Sequence, residues 1–214
     1  EKIRFRELEA EARAFYAKET WDLEVKMDNT WVELAACNYR TDYDLNAHSN
    51  AIKADLQVLE EGDAERFFPH VFELSMGVDR TFFVMLDVNL KKEQRGQEER
   101  TVLTLPSRIA PYFSGIFPLM KKDGLYEKAK EVFELLHALH IPVVFDAAGS
   151  IGKRYARMDE VGVPFALTID YQTLEDGSVT LRERDSMKQK RIPLDALDEV
   201  FWNITSGKKS FEDL

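Results

Sequence analysis

Glu73 and Ser75 lie two residues apart inside "HVFELSM", so on a strand a carboxylate and a hydroxyl emerge on one face while Phe72 and Leu74 point the other way. Past Gly77 the period changes, and Arg80 falls in the first turn of an apolar helix. Free backbone N–H groups and the positive dipole end there favour phosphate, and a guanidinium adds a planar cation. Glu33, inside "WVEL", occupies another short β-rich stretch, which can lie antiparallel to the first and bring a second carboxylate over the same pocket. Two acids at inward strand positions are costly unless something cationic meets them. Arg40 and Arg80 are the candidates, and simple pairing with the acids is the plainer alternative. The chemistry on offer is an anionic ligand beside a carboxylate pocket, which suggests a zwitterion meeting a nucleotide; Gly77 is otherwise only a turn residue.

A second set of residues is basic. "GKRYAR" carries Lys153, Arg154, Tyr155 and Arg157 on an expected helix, suited to phosphate pairing and to stacking on single-stranded bases. "LRERDSMKQKR" adds Arg182 and Arg184 in a mainly basic run. A solvated face is the ordinary reading of such runs. Gly149 to Gly152 fits a G-x-x-G clamp, but the flanking α/β alternation is not that of KH modules, and "AAGSIGKR" lacks the first Gly and final Ser or Thr of a phosphate loop. His137 and His140 have no Cys nearby and no Glu between them, which argues against a metal site. No Gly-x-Ser-x-Gly elbow occurs, and the single Cys37 has no adjacent His, so a nucleophilic hydrolase is disfavoured. Cys37 is expected as a small buried apolar residue, and a lone cysteine suits a reducing, cytoplasmic setting.

The elements that must hold these groups fall into two series. Phe5, Leu8, Ala12, Phe15 and Tyr16 recur at helical spacing and predict one long amphipathic helix over Arg4–Met27. Strands follow at Thr30–Cys37 and His70–Met76, with a polar connection over Asn46–Arg66 between them, then a helix from Gly77 to about Leu90. The charged run Lys91–Arg100 reads as a domain boundary. Beyond it, strand and helix alternate. "RIAPYFSGIFPLM", "IPVVFDA" and "PFALTID" are strands; Tyr126–His140, "SIGKRYARMDEVG" stopped by Gly162, and Leu194–Ile204 are helices; "LEDGSVTLRERD" supplies an Asp-Gly turn between strands. That alternation implies a mixed, mostly parallel sheet with helices on both faces.

Length and charge set the outer limits. With 214 residues there is room for two modest cores, at 44% hydrophobic and 32% charged composition. No apolar run approaches the ~18 residues of a membrane span. A net charge of −10 argues against a general polyanion binder, although local patches can still bind. The start Glu1-Lys2-Ile3-Arg4 has neither an initiator Met nor an apolar leader, and is read as the start of a fragment.

"WVELAACNYRTDYDL", "FELSMGVDR", "GSIGKRYARMDEVGVPFALTID" and "VTLRERDSMKQKR" together resemble the C-terminal half of a class II glycyl-tRNA synthetase of the archaeal and eukaryotic kind, over nearly the whole chain. The resemblance implies part of an α+β antiparallel class II catalytic domain over 1–100, including motif 3, and an α/β class IIa anticodon-binding domain over 101–214. It implies ATP-dependent activation of glycine with magnesium, transfer to tRNA-Gly, and a homodimer when full length. Residue by residue, it assigns Arg80 and Gly77 to ATP, Glu33 to ATP and its magnesium, and Arg40, Glu73 and Ser75 to glycine. The anticodon stem-loop is expected on Lys153, Arg154, Tyr155, Arg157, Arg182 and Arg184. Motifs 1 and 2 are absent: "RFRELE" has Leu8 where motif 2 has its glutamate, and reads as helix rather than hairpin. Family members commonly carry Gly at the place of Ala36 and Pro at that of Leu74. The chain alone is expected to lack adenylation activity; the alternative is a non-catalytic, synthetase-like accessory protein that binds tRNA.

Overall fold

A computed structural model of the chain describes residues 2–62, 65–95 and 98–214. Two compact units divide it, Glu1–Val88 and Asn89–Leu214. The division precedes the charged run expected to be the boundary. That run forms a hairpin instead, apart from its positions 96 and 97, which lie outside the described residues, as do 63 and 64 of the expected polar connection and Glu1.

The first unit is an antiparallel sheet in the order β1 (Ile3–Glu7), β2 (Glu19–Met27), β3 (Thr30–Thr41) and β4 (Val71–Met76), with α1 (Tyr43–Ile52) between β3 and β4 and α2 (Val78–Asn89) after β4. The long helix expected over Arg4–Met27 is therefore two strands, and "RFRELE" is one arm of an antiparallel pair. Alternation in Trp21-Asp-Leu-Glu-Val25 and the cross-strand partners Arg4↔Glu24 and Arg6↔Asp22 decide the matter. β2 turns into β3 through two residues, with Asp28 in the left-handed region at φ 48°. The stretch expected as connection opens with α1, and Cys37 is half-buried on β3 rather than buried.

One side of this sheet is apolar. Val84 of α2 covers Val25 and Met27, with Val32 and Leu34 at the edge. The rest of that side lies open: Phe5 is 63% exposed, Phe72 67% and Leu74 68%, with Ile3, Trp21 and Met76 beside them.

The second unit opens with the hairpin β5 (Leu90–Arg95) and β6 (Glu98–Leu103). Next come β7 (Ser114–Pro118), α3 (Leu125–Ala138), β8 (Val143–Phe145), α4 (Ile151–Glu160), β9 (Phe165–Ile169), α5 (Tyr171–Asp176), β10 (Ser178–Glu183), β11 (Gln189–Pro193) and α6 (Leu197–Thr205). The sheet order is β11-β10-β9-β7-β8. β7 runs parallel to β8 and β9, whereas β9–β10 and β10–β11 are antiparallel, so the sheet is mixed but not mostly parallel. The expected Asp-Gly turn between strands is the end of α5, which Gly177 closes at φ 69° before β10 begins.

Both sheet faces are covered. Ile116, Leu167, Ile169 and Leu181 meet Leu125, Ala129, Val132 and Leu136 of α3 and Leu197 and Phe201 of α6. On the other face Phe117 and Ala166 meet Met158 of α4, with Tyr155 packed alongside. The helix expected over Tyr126–His140 is thus α3, which buries Ala129, Val132 and Leu136, whereas Leu139 lies beyond the helix end and is half-exposed.

Candidate functional site

The second face of the four-stranded sheet is polar. Register places Asn38 opposite Glu73 and Ala36 opposite Ser75, with Thr20 and Asp22 next to Asn38 and Ala36 on β2. By simple alternation the odd-numbered Glu33 would face away from Ala36 and Asn38. A register shift at Leu23/Glu24 sets Glu33 against Glu24 and returns it to the polar face. A second shift, between Tyr39 and Thr41, leaves Arg40 without a ladder partner on β4. Both irregularities fall beside residues singled out for their chemistry, and neither is visible in local sequence.

Arg40 lies at one end of the face. It donates to both Asp44 oxygens, at 2.6 and 2.5 Å, and to Glu73, and its guanidinium stacks 3.8 Å from the Tyr16 ring centre. Hydrogen bonds to Asp44 and Glu73 push the Arg40 pKa up, and the Arg40 bond holds the Asp44 carboxyl below the usual range. Arg80 stands toward the other end, donating to the Glu33 carbonyl at 2.9 Å and lying 3.0 Å from its carboxylate. Each expected acid therefore has its own guanidinium, the plainer alternative, and both pairs stand on one face with Ala36, Asn38 and Ser75 between them. Gly77 receives the Thr81 N–H and hydroxyl at 3.0 and 2.8 Å where α2 begins.

Two further acids belong to this face and were hidden by the helical reading of 4–27. Asp22 and Glu24 are 5% and 4% exposed. Arg4 and Arg6 approach Glu24 at 2.6 and 3.1 Å, and Arg6 approaches Asp22 at 3.6 Å. Burial, with Glu33 nearby, pushes the Asp22 carboxyl up. The acids at every second position of "WDLEV" were the available signal.

The basic residues of the second unit divide differently. Arg154 is 3% exposed, Arg182 6% and Arg184 3%, so these three side chains are buried rather than displayed on a surface. Arg154 turns inward and donates to the carbonyls of Pro118 and Gly149, the latter at 2.7 Å, tying the end of β7 to the loop after β8. Arg182 and Arg100 share Asp159, at 3.1 and 2.9 Å, and Arg184 donates to the Gly162 and Leu105 carbonyls at 2.9 and 3.0 Å. The rest of the basic run is also engaged: Lys188 pairs with Glu212 at 2.6 Å and Arg191 with Asp170 at 2.6 Å. Tyr155 packs against Phe117 and under Arg182, and its hydroxyl meets Thr168 at 2.7 Å. Lys153 is exposed, and Arg157 is half-exposed while bonded to Asp146 at 2.5 Å.

Residues 114–203 match the family model for the anticodon binding domain. The glycine–tRNA ligase of Clostridium tetani is 44% identical over 196 residues, covering 91% of this chain and 42% of its own length. That of Thermobifida fusca is 40% identical over 213 residues, covering 96% and 46%. That of Methanothrix thermoacetophila is 32% identical, with 100% of this chain and 49% of its own length covered. The similarity spans both units, and the chain corresponds to less than half the length of these relatives. No described helix is long and apolar enough to cross a membrane.

Proposed function

We propose that the chain is the C-terminal portion of a glycine–tRNA ligase: the motif 3 side of a class II catalytic domain followed by a class IIa anticodon-binding domain. The observation that carries this reading is the Arg40–Glu73 pair on one strand face with Ser75, Glu33 and Arg80, in a chain similar to glycine–tRNA ligases along nearly all its length. Glycine presents an ammonium, a carboxylate and two hydrogens. A guanidinium fork matches its carboxylate and a carboxylate its ammonium, so a zwitterion inserted between Arg40 and Glu73 exchanges one ion pair for two. Ala36 stands opposite Ser75 on this face.

ATP would meet Arg80 and the backbone N–H groups at the start of α2, where the helix dipole favours phosphate. Magnesium bound with ATP supplies charge neutralisation, and Glu33 fits it as a hard oxygen donor to a cation that keeps most of its ligands from phosphate and water. A glycine carboxylate oxygen bonds to the α-phosphorus as the bond to pyrophosphate breaks. The acyl group then passes to the terminal ribose hydroxyl of tRNA-Gly, releasing AMP. Lys153, Arg157 and Tyr155 remain the proposed contacts to the anticodon stem-loop. The parent protein is proposed to be a cytoplasmic homodimer; the relatives include both bacterial and archaeal ligases, and its assignment to the archaeal and eukaryotic type rests on the motifs above.

Glycine-dependent ATP–pyrophosphate exchange tests the reading. The 214-residue chain should show none; turnover near that of a complete ligase overturns the partial-enzyme assignment. In the full-length parent, Arg80→Ala should impair exchange, and an unchanged rate removes Arg80 from the site. An accessory protein without catalysis would leave exchange by the parent absent altogether.

A further inference from the structure

A cavity of about 560 Å³ opens in the second unit at the N-terminal edge of β7 and β8, within the roughly 300–1,000 Å³ of small-molecule sites. It uses no residue assigned to glycine, ATP or tRNA. Its floor is Phe113, Ile141 and Phe201, with the Phe113 and Phe201 rings in edge contact at 4.7 Å. The floor is also tied by backbone: Phe113 N–H donates to Pro142 at 2.6 Å and Ile141 N–H to Leu136 at 3.1 Å. Trp202 forms a lip and is 65% exposed, a large apolar area to leave in water.

The polar groups at the mouth are unequal. Arg108 is exposed, and neither it nor His140 makes an ion pair among the described residues. His140 sits just past the C-terminal end of α3, held at φ 58° by its N–H to the His137 carbonyl at 3.0 Å. The carboxylate there, Asp198, accepts the Glu199 N–H at 2.7 Å through one oxygen. The mouth therefore offers a guanidinium and an imidazole, neither ion-paired among the described residues, beside one half-engaged carboxylate and above an aromatic floor. A bare anion would gain nothing from that floor, and a neutral apolar body would leave the guanidinium unmatched.

We propose that this cavity binds an apolar carboxylate, with an aryl or branched-alkyl body on Phe113, Ile141 and Phe201 beneath Trp202 and the carboxylate at Arg108, flanked by His140. It rests on this cavity alone, independently of the ligase reading. A free acid and the C-terminal residue of a peptide present the same chemistry, and binding measurements distinguish them.

The test follows the Trp202 indole N–H signal by NMR in the 214-residue chain, assigned with Trp202→Phe. Titration with 4-phenylbutyrate should shift it saturably in the millimolar range expected of so small a ligand. 4-Phenyl-1-butanol should bind about ten-fold more weakly or worse, and Arg108→Gln should weaken the acid by a similar factor while leaving the alcohol unchanged. That split separates a charge contact from a loss of structure. A short peptide ending in Phe, compared with its C-terminal amide, identifies the source: preference for the free carboxylate at higher affinity than the small acid means a peptide ligand, and equal or lower affinity means a free acid. No saturable shift with either carboxylate, or equal affinity for acid and alcohol, overturns the proposal.

Discussion

Asp159→Asn isolates an ion pair of the second unit in which both side chains are buried. Asp159 is 2% exposed and receives Arg182 at 3.1 and 3.2 Å and Arg100 at 2.9 and 3.0 Å, joining β10, α4 and β6 through one carboxylate. Asparagine preserves the volume and one acceptor but strands the Arg182 guanidinium without a counter-charge and leaves Arg100 only Glu93, 3.1 Å away. Removing one partner of a buried pair costs about 3–5 kcal/mol; the retained acceptor puts this change near ~3 kcal/mol. Against a total of about 5–15 kcal/mol for a unit of this size, that is a large fraction. At a urea slope of about 1–3 kcal/mol/M the midpoint should fall by roughly 1–3 M. The comparison is Lys188→Gln, which removes a shorter contact, 2.6 Å, between side chains 61% and 57% exposed. Solvent screening makes that loss small. Trp202 fluorescence in a Trp21→Phe, Trp31→Phe background reports the second unit. Adding Arg182→Met to Asp159→Asn should return part of the loss, because one stranded guanidinium goes with it. If Asp159→Asn and Lys188→Gln move the midpoint equally, burial does not set the value of these pairs here and the reasoning fails.

Gly162→Ala should cost roughly 2–4 kcal/mol by urea titration, since an L side chain would be held in the left-handed region and crowd its neighbours: φ is 84°, and the new methyl would lie 3.1–3.2 Å from the Leu105 and Leu103 side chains and the Leu103 carbonyl. Gly77→Ala should be nearly neutral, within about 1 kcal/mol, because a Cβ there meets only the Arg80 Cβ at 3.8 Å; in the full-length ligase it should nonetheless slow ATP–pyrophosphate exchange if phosphate approaches this backbone, so a wild-type rate counts against that approach. For pH, burial alone would raise the Asp170 carboxyl, but Arg191 and the Thr173 N–H outweigh it and hold it low, while the Ser178 hydroxyl and Gln172 bring Asp176 to about 2. Folded values below the unfolded ~3.9 mean stability that is present above pH ~4 and lost as the pH falls toward 2. Asp170→Asn should flatten that acid limb in Trp202-monitored unfolding, and an unaltered limb contradicts the assignment.

The second unit was legible because its signals are local: α3 runs Leu125–Ala138 where Tyr126–His140 was expected, and the three parallel strands carry short apolar runs bounded by Gly and Pro. The first unit hid its opening strands. Phe5, Leu8, Ala12, Phe15 and Tyr16 satisfy a helical period, yet β1 is fixed by Arg4 and Arg6 facing Glu24 and Asp22, twenty and sixteen residues on, partners no short window contains. The same limit applies to charge. Arg182 and Arg184 look solvated in a row of basic residues; only the acid of α4 and the carbonyls of Leu105 and Gly162 show them to be interior. For the site, the residue types at Arg40, Glu73, Ser75, Glu33 and Arg80 were readable, but the shared face of Glu33 and Asn38 depends on a strand irregularity that follows from pairing rather than composition.

The open apolar side of β1–β4 bears on the life of the chain in a cell. Phe5, Phe72 and Leu74 present to water what folding ordinarily conceals, and persistent surface of this kind is what chaperones and proteases respond to in incompletely folded chains. The core of the second unit does nothing to cover these side chains. Abundance would then be governed by how soon this sheet is covered after synthesis, and a stabilising substitution behind β7 would do little to lengthen the lifetime of the polypeptide.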